Sequence, residues 1–176
     1  MATVVKALAE GDGIRTENSN LARELFTKGQ FGTLLDDGRV QLSALETVYL
    51  FAKKRLKLLN IKNKPISLDA FVASARKKDK DFWTRYAVFK DLRDSGYVVK
   101  AALKFGADFR VYDRGARQGE EHAKWIAFPV SEHKQLAWQD FSAKNRVAHS
   151  TKKKLLICVV DDEGDVSYWE VGWLKP

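Results

Sequence analysis

The chain has 176 residues, 45% of them hydrophobic and 31% charged, which suits one compact domain or two small ones and excludes both a large multi-domain enzyme and a disordered chain. A single cysteine, Cys158, excludes an intramolecular disulfide framework and a cysteine-based zinc site and points to a reducing cytoplasm, while no apolar run reaches the ~18 residues of a membrane span. Lysine and arginine number 31 against 23 acidic residues, a formal charge of +8, which favours a polyanionic partner, chiefly nucleic acid.

In chain order, Val4 to Ala9 and Gly13 to Glu17 read as two strands joined by the turn Glu10-Gly-Asp-Gly. Asn18-Ser-Asn offers N-caps for a helix over Leu21 to Lys28 that Gly29 ends. A second hairpin spans Gly32 to Leu35 and Arg39 to Leu42 around Asp36-Asp-Gly. Ser43 and Glu46, three residues apart, have the spacing of a capping box and open a helix through Val48, Leu50, Phe51 and Arg55. A short apolar stretch, Leu56 to Ile61, and the loop Lys62 to Pro65 lead to a helix from Ser67 with Phe71, Val72 and Ala75 on one face.

The polar run Arg76 to Asp81 reads as either a domain junction or an exposed helix end. Phe82 to Asp94 follows as an amphipathic helix, with Trp83, Tyr86, Phe89 and Leu92 recurring every three residues until Ser95-Gly96 stops it. Strands are expected over Tyr97 to Leu103, Asp108 to Tyr112 and Lys124 to Val130, with Gly106 in the first turn and Pro129 ending the third strand or marking an edge. A helical pattern runs from Lys134 to about Thr151, and Lys154 to Asp161 with Val166 to Trp173 form a final hairpin. The fold class is α/β of the α+β kind, with a small N-terminal α/β subdomain over residues 1–80. A C-terminal domain follows over residues 81–176, its mixed sheet flanked by helices.

There is no phosphate-binding glycine loop and no histidine pair at metal spacing. Between Lys144 and Lys154 the chain places Lys144, Arg146, His149, Lys152, Lys153 and Lys154 with no acidic residue among them. On a continuous helix, Arg146, His149 and Lys153 would form one cationic stripe suited to phosphates. Metal-dependent nucleolysis would need converging carboxylates, for which the acidic candidates are Asp108, Glu120-Glu121 and the turn Asp161 to Asp165.

Five segments in order, Gly96-Tyr-Val-Val-Lys, Phe105-Gly-Ala-Asp-Phe-Arg-Val-Tyr112, Glu120-Glu-His122, Arg146-Val-Ala-His-Ser-Thr-Lys-Lys153 and Val159-Val-Asp-Asp-Glu-Gly-Asp-Val166, resemble the catalytic type of the archaeal tRNA-splicing endonuclease family. The likeness runs from about Tyr86 to the C-terminus, and the N-terminal third is similar to that family's N-terminal subdomain. The resemblance implies metal-independent and cofactor-independent cleavage of precursor tRNA at a bulge–helix–bulge, leaving 2′,3′-cyclic phosphate and 5′-hydroxyl ends. It implies Tyr112 as base, His122 as acid and Lys153 as the cation that holds the charged phosphorane. His149 is the rival to His122. A phenol takes a proton at neutral pH only where a cation such as Lys153 favours its ionised form.

By the same resemblance, Arg146 grips an unpaired bulge base, with Tyr168 or Trp169 as a second contact. The turn carrying Asp161, Asp162, Glu163 and Asp165 inserts into a neighbouring subunit. The expected assembly is a homotetramer, or a heterotetramer with a non-catalytic paralogue, acting without a membrane. Two other readings of the residues stay open: a metal-dependent nuclease built on Asp108 and Glu120-Glu121, and a non-catalytic basic RNA-binding or structural subunit.

Overall fold

A computed structural model of the chain describes residues 4–11, 13–102, 106–117, 119 and 121–174. Asp12 of the first turn, Leu103, Phe105 and Glu120 lie outside the described residues. The chain divides into two compact units, Met1–Phe82 and Trp83–Pro176, each built on a five-stranded mixed sheet. No helix is long and apolar enough to cross a membrane among the described residues.

The first unit runs β1 (Val5–Glu10), β2 (Gly13–Thr16), α1 (Asn20–Thr27), β3 (Thr33–Leu34), β4 (Val40–Leu42), α2 (Ala44–Ala52), β5 (Leu56–Asn60) and α3 (Leu68–Lys78). Its sheet has the order β3-β4-β2-β1-β5. The apolar stretch after α2 is the edge strand β5, parallel to β1 with Val5 opposite Leu56 and Ala7 opposite Leu58, so all four side chains are buried on one face. Gly32 has φ +66, and a Cβ there would run into the Gln41 carbonyl, so only glycine lets the chain enter β3 so close to β4.

Both carboxylate oxygens of the buried Glu46 are used. One accepts from the Gly32 amide at 2.7 Å; the other accepts from the Ser43 amide and hydroxyl, each at 2.9 Å. The Ser43 hydroxyl in turn accepts from the Glu46 amide at 3.2 Å, which completes the capping box. One side chain therefore starts α2 and fixes the turn into β3.

The second unit runs α4 (Phe82–Asp94, begun by the last residue of the first unit), β6 (Tyr97–Ala101), β7 (Phe109–Arg114), β8 (Trp125–Ser131), α5 (Trp138–Ser150), β9 (Lys154–Val160) and β10 (Val166–Val171). The sheet order is β10-β9-β8-β7-β6, with β8 and β9 parallel and every other pair antiparallel. On one face Ile126, Phe128, Leu155 and Ile157 pack with Phe141, Val147 and Ala148 of α5. On the other, Phe109 meets Phe89 of α4, and the Tyr168 hydroxyl donates to Asp91 at 2.6 Å. Burial and the Asp91 carboxylate hold the Tyr168 phenol well above its ordinary range.

Three expectations need correction. Trp83 is 45% exposed, because a three-residue repeat drifts around a helix of 3.6 residues per turn; Tyr86, Phe89 and Leu92 are buried as expected, and Phe82 is buried in place of Trp83. The last helix begins at Trp138, not Lys134, and its N-cap Ala137 has no side chain to stop the start from shifting. Pro129 lies within β8, the central strand, but β7 pairs only with Trp125, Ile126 and Ala127, so the missing amide proton falls where β8 has one neighbour.

Glu46→Ala leaves the Gly32 amide buried without an acceptor and opens the capping box. It should cost about 2–4 kcal/mol, read as a lowered denaturant midpoint at unchanged slope, whereas Glu46→Gln, which keeps an acceptor oxygen, should cost less.

Candidate active site at one end of the second sheet

Tyr112, His122 and Lys153 come from three separate segments, and backbone pairing determines where they lie. The Lys124 amide donates to the Val111 carbonyl at 2.9 Å, and the Lys154 amide donates to the Lys124 carbonyl at 3.1 Å. Val111 is opposite Trp125, which is opposite Lys154. Tyr112 is the next residue along β7, His122 precedes Lys124 by two, and Lys153 precedes β9 by one, so all three lie at one end of neighbouring strands. Alternation puts Tyr112, with Arg110, on the face that α5 covers, because Arg110 is opposite the α5-facing Ile126.

Tyr112 is 9% exposed and packs with Val98, Ala116 and Ala123. A bulge follows it at once: Tyr97 and Val98 are consecutive, but their partners are Arg114 and Tyr112, leaving Asp113 as the extra residue. Arg114 consequently stacks over the Tyr97 ring at 5.0 Å, away from Tyr112. Tyr112 also lines a narrow recess with Val98, Lys100, Ala116 and Arg117. Sequence reasoning passed over Lys100 and Arg117; strand alternation from Val98 was the available signal for Lys100. His122 is exposed in the loop after β7, and the buried Ala123 anchors that loop at its end.

Lys153 is not on the helical stripe that its spacing suggested, because α5 ends at Ser150. The Lys152 amide donates to the His149 carbonyl at 3.0 Å and the Lys153 amide to the Ala148 carbonyl at 2.9 Å, with Lys152 left-handed at φ +55. This is a Schellman stop whose usual glycine is a lysine. The half-buried Lys153 then donates its Nζ to the Thr151 carbonyl at 2.8 Å, which holds the ammonium at the entrance to β9.

Arg146 is exposed on α5, and His149 one turn further on lies against the Trp173 ring with centroids 4.5 Å apart. Trp173 follows β10, whose end pairs with the start of β9, so the His149–Trp173 pair sits at the same end as Lys153. Tyr168 is tied to α4 on the opposite face. Trp169, 54% exposed, is opposite the α5-facing Ile157 and is the available one of the two aromatics.

The acidic turn is at the other end of the strands. Asp161 Oδ1 accepts from the Glu163 amide at 3.0 Å and the Asp165 amide at 2.9 Å, so this oxygen of the carboxylate shapes the turn itself. Asp162 bonds His133 at 3.0 Å, and the His133 ring stands 3.8 Å from Glu132. The Asp162 carboxylate raises the His133 pKa above the ordinary range. Glu132, His133 and Asp162 form the one group among the described residues whose geometry suits a metal ion. It is exposed and about 20 Å along the seven-residue strands from Tyr112 and Lys153. Asp108 binds Arg85 at 2.6 Å just before β7 begins, whereas Glu121 follows the end of that strand, so these two carboxylates do not converge.

The family model of the tRNA intron endonuclease N-terminal domain matches residues 5–72, and that of the tRNA intron endonuclease catalytic C-terminal domain matches residues 82–168. The chain is 39% identical over 175 residues to a tRNA-splicing endonuclease of Pyrococcus furiosus, covering 99% of each chain. To that of Thermococcus kodakarensis it is 39% identical over 165 residues, covering 94% of this chain and 95% of the other. To that of Nanoarchaeum equitans it is 42% identical over 149 residues, covering 81% and 94%.

Two expectations follow from the local geometry. Lys152→Gly should stabilise the chain by about 1 kcal/mol in chemical denaturation, since glycine takes the left-handed position without a Cβ clash. Because the His133 pKa is raised in the folded chain, its tie to Asp162 is fully present below the unfolded midpoint and is lost as pH rises through the folded one. Asp162→Asn should bring the His133 midpoint back down in an NMR titration.

Proposed function

The chain belongs to the tRNA intron endonuclease family, and we propose that it acts as a tRNA-splicing endonuclease, cutting precursor tRNA at a bulge–helix–bulge without a metal, through Tyr112, His122 and Lys153. The observation that carries this reading is the register of β7, β8 and β9, which brings a phenol, an imidazole and an ammonium to one strand end. Three such groups are what an internal transphosphorylation needs.

Tyr112 Oη accepts the proton of the ribose 2′-hydroxyl, and the 2′-oxygen attacks the adjacent phosphorus. Lys153 Nζ holds the charge that builds on the phosphorane oxygens. The bond to the 5′-oxygen breaks as His122 gives that oxygen its proton. The products are a 2′,3′-cyclic phosphate and a 5′-hydroxyl end, and no water is consumed. Lys100 and Arg117 border the same tight crevice as Tyr112 and bring two further cationic side chains close to the phenol. Arg146, with Trp169 in preference to Tyr168, holds an unpaired base in this reading.

An intron has two ends and one chain carries one such set of residues, so the working enzyme is an oligomer, a homotetramer or a heterotetramer with a non-catalytic paralogue. The hairpin tip is its candidate contact. Glu163 and Asp165 are the carboxylates there whose side chains the turn leaves available, with Asp161 and Asp162 shaping it.

The test is incubation with an intron-bearing precursor tRNA in excess EDTA, followed by end-group analysis. Cleavage should persist and leave cyclic phosphate ends. Tyr112→Phe, His122→Ala and Lys153→Ala should each lower the single-turnover rate about 10²–10⁴-fold, while His149→Ala should cut. Chelator-sensitive cleavage, 3′-hydroxyl ends or loss confined to His149→Ala would overturn the reading.

A further inference from the structure

Apart from the basic run Lys144–Lys154, the half of the chain that carries the cleavage residues is close to neutral, and the larger share of the charge lies elsewhere. Residues 1–52 carry five basic and seven acidic side chains, and residues 81–176 carry sixteen and fourteen. Residues 53–80 carry ten basic and two acidic, a net +8 that equals the excess of the entire chain. That segment is the turn after α2, the edge strand β5, the turn after it, and α3 with the two residues that follow.

Pairing differs as sharply as composition. In the first 52 residues Arg15 and Arg39 share Glu10, Arg39 also binds Asp37, and Lys28 binds Glu24. In the basic segment Lys54, Arg55, Lys57, Lys62, Lys64, Arg76, Lys77 and Lys80 are exposed and make no ion pair among the described residues. Arg76, Lys77 and Lys80 moreover line one open depression on the exposed side of α3, with Ala73 as its floor.

Two ordinary explanations cover part of this. A lysine on an edge strand such as Lys57 discourages sheet-to-sheet aggregation, and cations in the last turn of α3 suit its dipole. Neither reaches Lys54, Arg55, Lys62, Lys64 or Lys80. Like charges at this density repel one another unless an external anion compensates them. The depression is wide and shallow and has no aromatic side chain on which a base could stack. Those features fit a sugar–phosphate backbone rather than a nucleobase or a small ligand.

We propose that the β5–α3 surface of the first unit is a second RNA-binding site, holding the phosphate backbone of helical RNA without regard to sequence. On the endonuclease reading, on which the identity of the RNA rests, this is a helical part of the precursor other than the bulge being cut. The competing occupant is the acidic hairpin of a second copy. It offers only Glu163 and Asp165 beyond the carboxylates already engaged, against eight unpaired cations, so charge favours RNA.

The test measures binding of the full-length protein to an unbulged RNA duplex and to the intron-bearing precursor across a salt series. Arg76→Gln with Lys77→Gln and Lys80→Gln should weaken duplex binding about 10–100-fold at low salt and reduce the salt slope by roughly 2–3. It should also raise KM for the precursor. Lys62→Gln with Lys64→Gln, in a turn that buries nothing, should act in the same direction, and Lys28→Gln, on α1, should change neither quantity. Unchanged slopes in both multiple variants overturn the proposal. So does dissociation of the oligomer with duplex binding intact, which would assign the surface to a second copy. A wild-type protein that binds duplex through these residues but never cuts the precursor overturns the endonuclease reading and supports this one.

Discussion

Two backbone hydrogen bonds, from the Lys124 amide to Val111 and from the Lys154 amide to the Lys124 carbonyl, hold the candidate site together. Each is an ordinary ladder contact, worth about 1 kcal/mol net. Their importance is positional, since a one-residue slip in either pairing would turn Tyr112 or the start of β9 to the wrong face. The buried Val111, Ile126, Ala127, Leu155 and Leu156 oppose such a slip, because each would have to exchange the packed face it fits for the other. Site geometry is in this sense a by-product of the hydrophobic pattern of three strands.

The surroundings accommodate that constraint rather than add to it. The bulge at Asp113 ends the regular pairing of β7 just past Tyr112, so the chain can leave the sheet and carry His122 back toward β8. The left-handed turn at Lys152 does the same for α5, delivering Lys153 at the strand entrance instead of in the helix. Both devices are local irregularities placed where a regular element would have carried a side chain past the site.

What could be read from the sequence follows the range of the interactions involved. The capping box of Ser43 and Glu46 and the hairpin turns are decided within a few residues, and their signals stood in plain view. The strand identity of Leu56–Asn60 depends on β1, some fifty residues earlier, and the run Leu-Lys-Leu-Leu-Asn is too short for its period to separate strand from helix. Lys153 was assigned to a helical stripe because spacing alone cannot show that Lys152 turns left-handed. The meeting of Tyr112, His122 and Lys153 had no local signature, and only the ordered resemblance to a known family pointed to it. The charge is legible both as a total and in its two basic stretches, Lys144–Lys154 and residues 53–80, but which of the cations stay unpaired depends on the fold.

The parallel pairing of β8 with β9 has a consequence for folding. Lys124 and Lys154 are thirty residues apart in sequence, and α5 lies between them, so their contact cannot form by zipping outward from a turn. The chain must first close a long crossover, a slow step compared with hairpin formation. A molecule folded only as far as β8 carries Tyr112 and His122 at one strand end but lacks Lys153, whose place at the entrance to β9 depends on that closure. The strand end that gathers Tyr112, His122 and Lys153 is therefore complete only once the β8–α5–β9 crossover has closed.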